Sequence, residues 1–69
     1  MMSNRIGILA KELKAGTKYR LFDDYRATVW TFDYFSGIRA YGHTAVNDQM
    51  RYNSVQIDEL VWIDGGQLC

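Results

Sequence analysis

The chain contains no proline, a single cysteine and no surplus of charge. Without proline, every strand is free to donate all its backbone hydrogen bonds, and an exposed edge strand invites pairing with another chain. The one cysteine, Cys69, occupies the last position, which excludes a disulfide framework and fits a reducing compartment. Eight basic and eight acidic residues cancel. A nucleic-acid binder neutralises phosphates, so a neutral chain must gather its basic residues on one face to bind RNA well. No apolar run approaches the length of a membrane span, and Met1-Met2-Ser3-Asn4 does not read as a signal peptide, so a soluble, cytoplasmic protein is expected.

What is present is apolar and aromatic. The 69 residues are 48% hydrophobic and 14% aromatic, too apolar for a disordered segment and enough for one domain, 1–69, near the lower size limit for a single core. A barrel of this size cannot bury all of that surface internally, so part of it is expected in subunit interfaces.

Ile6, Leu9, Ala10 and Leu13 recur at helical spacing behind Ser3 as N-cap, which predicts a helix over about 3–14, ended by Gly16. Alternation and turn residues then predict strands over about 17–22, 25–33, 38–46, 50–57 and 60–64, with a frayed tail at 65–69. The connections are Asp23-Asp24, Ser36-Gly37, Asn47-Asp48-Gln49 and Asp58-Glu59. From Val29 the next core candidate is Phe32, not Thr31, so a bulge or sharp bend is expected near Trp30. The fold class is therefore mainly β: an N-terminal helix followed by a strongly bent, five-stranded antiparallel small barrel.

Three segments carry a family likeness. Phe32, Asp33, Tyr34 and Phe35 form an aromatic-Asp-x-aromatic strand end, with Gly37 where an asparagine is usual. Gln49-Met50-Arg51-Tyr52 is the second, and Ser54-Val55-Gln56-Ile57 followed by Val61-Trp62-Ile63 the third. In this order, behind a short helix, they resemble the Sm-like RNA-binding family, over residues 3 to 64. The chain departs from it after Tyr52, where Asn53-Ser54 replaces lysine and histidine, and after Ile57, where Asp58-Glu59 replaces arginine and glycine. Either pair is available for the loop between the last two strands. Asp58-Glu59 is favoured, because two carboxylates inside a buried strand are costly to desolvate.

The resemblance implies a ring-forming homo-oligomer that binds single-stranded RNA in RNA regulation. Its interface is expected on Val55, Ile57, Leu60, Val61, Trp62 and Ile63, the last strand being an open apolar edge that a neighbour closes. Tyr34 and Phe35 are the implied stacking residues; Tyr52 and Asn53 would add an edge-on hydrogen bond, and Arg39 and Arg51 phosphate contacts. Phe35 reads equally well as a plug for the barrel end, and Trp30 and Trp62 as core or interface residues. Asp33 reads as structural, bonding backbone in its own turn. His43 has no second histidine or cysteine nearby, so no metal site is expected, and no cofactor. Asp58 and Glu59 read as a solvated turn rather than an acid–base pair, so the chain is not expected to be an enzyme. The alternative is a ring-shaped protein–protein scaffold without direct RNA binding, favoured by the acidic turn and zero net charge.

Overall fold

The computed structural model describes residues 5–22 and 28–64. Six strands form one antiparallel sheet: β1 Arg5–Leu9, β2 Lys18–Leu21, β3 Trp30–Ser36, β4 Arg39–Val46, β5 Gln49–Gln56 and β6 Leu60–Asp64. Their spatial order is β1-β6-β2-β3-β4-β5. Sharp curvature comes from β2, whose first half, Lys18 and Tyr19, pairs with β3 while its second half, Arg20 and Leu21, pairs with β6.

The expected N-terminal helix is not formed. Residues Arg5–Leu9 are extended, and only Ala10–Glu12 coil, as one 3₁₀ turn. The same apolar residues satisfy a period of two: Ile6 and Ile8 pack on the core, and Ala10 is fully buried. A helix that short is marginal alone, whereas extension gives β1 a five-residue ladder along β6. Ser3, the expected cap, lies outside the described residues, as do the Asp23-Asp24 turn, the start of the 25–33 strand and the tail 65–69.

This pairing removes the open edge expected at the last strand. β6 has β1 on one side and β2 on the other. Val61 and Ile63, expected in a subunit interface, are core residues, as is Val55 on β5. Leu60 is exposed, and Ile57 and Trp62 are half-buried. Among the described residues the edges of the sheet are β1 and β5, and no strand pairing closes the barrel between them. Past Leu9 the 3₁₀ turn carries the contact on into the β5–β6 connection, its Ala10 and Lys11 N–H groups donating to the carbonyls of Glu59 and Ile57 at 2.8 and 2.9 Å.

Turn chemistry fixes the β3–β4 and β4–β5 hairpins. Gly37, at φ 61°, and Ile38 connect β3 to β4, while Asn47 and Asp48 connect β4 to β5 with φ 51° and 65°. Positive φ at both central residues, as at Asn47-Asp48, or at a first-position glycine, as at Gly37, matches the turn to the twist of the strands. Between β5 and β6 the Glu59 carboxylate accepts the Gln56 N–H at 3.0 Å and the Gln56 carbonyl accepts the Glu59 N–H. Glu59 is thus bound into its own turn.

Ala10, Leu13, Tyr19, Phe32, Ala40, Val55, Val61 and Ile63 form the core. Its tightest contact is Tyr19 against Gly42. A Cβ at Gly42 would collide with the Tyr19 hydroxyl and come within 2.8 Å of the Thr31 carbonyl oxygen. Tyr19 is 1% exposed, and its hydroxyl is buried without a hydrogen-bond partner. Burial, with a further contribution from the nearby Asp33 charge, pushes its phenol from 10.0 up to about 12.

Two predictions follow from this contact. Gly42→Ala is expected to lower stability by roughly 1–3 kcal/mol in urea denaturation, as overpacked cores do. Adding Tyr19→Phe, which removes the colliding oxygen, should recover part of that loss; an additive double variant contradicts the packing. The second concerns pH. The native state keeps the Tyr19 proton up to about pH 12, whereas an unfolded tyrosine loses it near 10. Stability is therefore complete below pH 10 and falls as pH rises toward 12, by roughly 2–3 kcal/mol from this group. A phenolate absorbance titration should show one late ionisation that vanishes in Tyr19→Phe; identical curves would refute it.

Candidate functional site

The outer face of β3, β4 and β5 is assembled by one irregularity. Phe32 faces inward, 3% exposed, so strict alternation would turn Asp33 outward and Tyr34 inward. Instead the β3–β4 register shifts between Phe32 and Tyr34: Phe32 lies opposite Gly42, and Tyr34 opposite Tyr41. The extra residue, Asp33, is a β-bulge, placed three residues later than the bend expected near Trp30. It leaves Asp33 and Tyr34 on the same side of the sheet and returns Phe35 to the inner side, opposite buried Ala40.

Four side chains lock this arrangement. The Tyr34 and Tyr41 rings stack with centroids 5.2 Å apart and planes 11° apart. His43 Nδ1 lies 2.8 Å from both carboxylate oxygens of Asp33. Asp33 therefore bonds a neighbouring strand rather than backbone in its own turn. On the next strand Tyr52 stands opposite His43, and Ser54 opposite Tyr41. Arg39 completes the face, its Nε donating to Ser54 Oγ at 2.9 Å and its Nη2 to the Ser54 carbonyl at 3.3 Å. The guanidinium is thereby held along the sheet beside the tyrosines.

Of the binding residues read from the sequence, Tyr34, Arg39 and Tyr52 come together here. Tyr34 is 57% and Tyr52 73% exposed, far above what packing alone leaves to a large aromatic residue. Phe35, Arg51 and Asn53 are not on this face. Phe35 packs against Phe32 with centroids 4.6 Å apart and is 43% exposed at the sheet's end, partly the plug and partly a surface ring. Arg51 pairs with Thr44 on the opposite side of the sheet, and Asn53 pairs with buried Gly42, its Oδ1 buried without a hydrogen-bond partner. Period-two alternation about Tyr52 separates both from it. Tyr41 was missed, although its alternation with Ala40 and Gly42 placed it on the outer side.

Trp30 packs on the core, while Trp62 stacks on Phe22, with centroids 4.8 Å and planes 6° apart, and donates Nε1–H to the Phe22 carbonyl at 3.2 Å. Among the described residues no three histidine, cysteine or acidic side chains are grouped to hold a metal ion. Nor is any helix among them long and apolar enough to cross a membrane.

Chemically, the face offers flat π surfaces, one guanidinium, and an imidazole backed by a carboxylate. That is a surface for stacking and anion contact. Comparison with protein-family models, with curated proteins and with solved structures finds no match to this chain.

Proposed function

We propose that the protein binds single-stranded RNA across the outer face of β3–β5, stacking nucleobases on Tyr34, Tyr41 and Tyr52 while Arg39 and His43 stand beside the phosphates. The observation that carries this reading is the exposure of Tyr34 and Tyr52 on a face where Tyr41 and Arg39 are already fixed in place. Base-on-aromatic stacking contributes roughly 1–3 kcal/mol per base and tolerates any sequence. The resemblance to the Sm-like family supplies the same expectation of a single-stranded RNA ligand. The strands β2 to β6 overlap the five strands expected from the sequence, which is compatible with that reading.

The ring is proposed on different strands from those the resemblance implies. With β6 internal, the edge strands among the described residues are β1 and β5. β5 is eight residues long and free of proline, an edge that natural proteins seldom leave open. Pairing of β5 with β1 of a second copy is head-to-tail, and such a contact closes into a ring when its rotation allows.

A second reading, a protein-binding scaffold without RNA, is favoured by the exposed apolar side chains Val46 and Met50 at the β4–β5 hairpin and by the zero net charge. One experiment separates the two. Wild type and Tyr52→Ala are titrated with fluorescent single-stranded RNA, and native mass is measured on the same samples. RNA binding that weakens by roughly 1–3 kcal/mol in Tyr52→Ala, with unchanged thermal stability, is the expected result. No saturable RNA binding, with capture of one nuclease-resistant protein partner, favours the scaffold. A monomer at all concentrations contradicts the ring under either reading.

A further inference from the structure

We propose that a groove between β1, β2 and β6 holds the phosphates of the same strand whose bases lie on the tyrosine face; this rests on the RNA reading above. The groove encloses about 380 Å³, and Arg5, Lys18, Arg20, Trp62 and Asp64 are among its lining residues. Among the described residues, three cations and one carboxylate line it, in a chain whose total charge is zero. The basic residues are thus gathered in the way that a neutral phosphate binder requires. Arg5, Lys18 and Arg20 each also make an interaction within the protein. A phosphate would add to those interactions.

Two features tie the groove to the tyrosine face. The first is register. Lys18 stands opposite Thr31, Thr31 opposite His43, and His43 opposite Tyr52. One continuous row of outward positions therefore runs from the groove to the most exposed tyrosine, across three strand spacings or about 14 Å. The second is the wall. Trp62 lies opposite both Arg20 and Gly7, and Phe22 stacks on its indole. A Cβ at Gly7 would touch that indole at 3.8 Å, so the ring lies close over bare backbone. A positively charged groove that tracks the backbone, beside aromatic rings that take the bases, is the general form of a single-strand site. The contacts in the groove read charge and carry no sequence information.

Salt dependence tests the assignment. Fluorescent single-stranded RNA and an abasic phosphodiester oligomer of equal length are titrated against three proteins: wild type, Arg5→Gln/Lys18→Gln/Arg20→Gln, and Tyr34→Ala/Tyr52→Ala. Each phosphate contact to a single strand contributes a slope of about −0.7 in log K against log salt, so losing three flattens the slope by about 2. Between about 50 and 200 mM salt, wild-type RNA affinity should thus fall about 16-fold further than that of the triple variant. The abasic oligomer should bind wild type and the tyrosine variant, and not the triple variant. Equal RNA slopes in wild type and triple variant overturn the groove while leaving the tyrosine face intact. Groove-dependent binding of the abasic oligomer, with nothing gained from bases, upholds the groove and removes the RNA reading. Binding of neither probe overturns both. Arg20 is half-buried and the other replaced side chains are exposed, and a charge-keeping variant, Arg5→Lys/Lys18→Arg/Arg20→Lys, should restore the slope, which a folding defect would not allow.

Discussion

A single surplus residue in β3 governs the rest. Asp33 has no partner position on β4, and the two halves of β3 are therefore out of phase. Ahead of it, Phe32 enters the core; behind it, Tyr34 emerges and Phe35 turns back. Were the ladder regular, Tyr34 would point into a core already filled by Tyr19, and Tyr41 would lose its stacked neighbour. The bulge residue is itself restrained, because both its carboxylate oxygens lie 2.8 Å from His43 Nδ1. Each charge-assisted bond at this half-exposed site contributes little stability. Its value is in fixing where the next residue faces.

Rigidity beneath the face has a separate source. Tyr19 fills the space under Gly42, the residue between Tyr41 and His43. Because β4 carries no side chain there, the phenol ring can press against the strand's backbone. The two outward side chains on either side of Gly42 thus stand on a filled layer. Under the proposed reading such backing would favour stacking, since rings already held in place lose less entropy when a ligand arrives.

How much of this was legible in the sequence follows from which local signals were strong. The strands ending at Val46, Gln56 and Asp64 were readable because alternation and Asn-Asp, Gly and Asp-Glu turns agreed there. Residues 5–13 were misread because Ile6, Leu9, Ala10 and Leu13 fit a helical period while Ile6, Ile8 and Ala10 fit an extended one. The partner that decides between them, β6, is more than fifty residues away in sequence. That same pairing made β6 internal, which the apolar run Val61-Trp62-Ile63 did not disclose. A bend is legible near Trp30 but the bulge itself falls at Asp33, and this shift decides that Tyr34 and Tyr41 share the outer side while Phe35 lies on the inner one. Arg51 and Asn53 were grouped with Tyr52 as neighbours in sequence, although neighbours along a strand point to opposite sides. The groove was not legible at all, since it joins Arg5, Lys18, Arg20 and Asp64 from three strands.

The central claim is that the ligand's bases meet the outward rings created by the Asp33 bulge. The most direct measurement is a side-chain resonance map, by nuclear magnetic resonance, of the protein with and without a short single-stranded RNA. The account predicts that the ring signals of Tyr34, Tyr41 and Tyr52 and the imidazole of His43 shift together, while Phe35, Asn53 and Arg51 stay in place. Shifts centred on Phe35, Asn53 and Arg51, with the three tyrosines undisturbed, would contradict it.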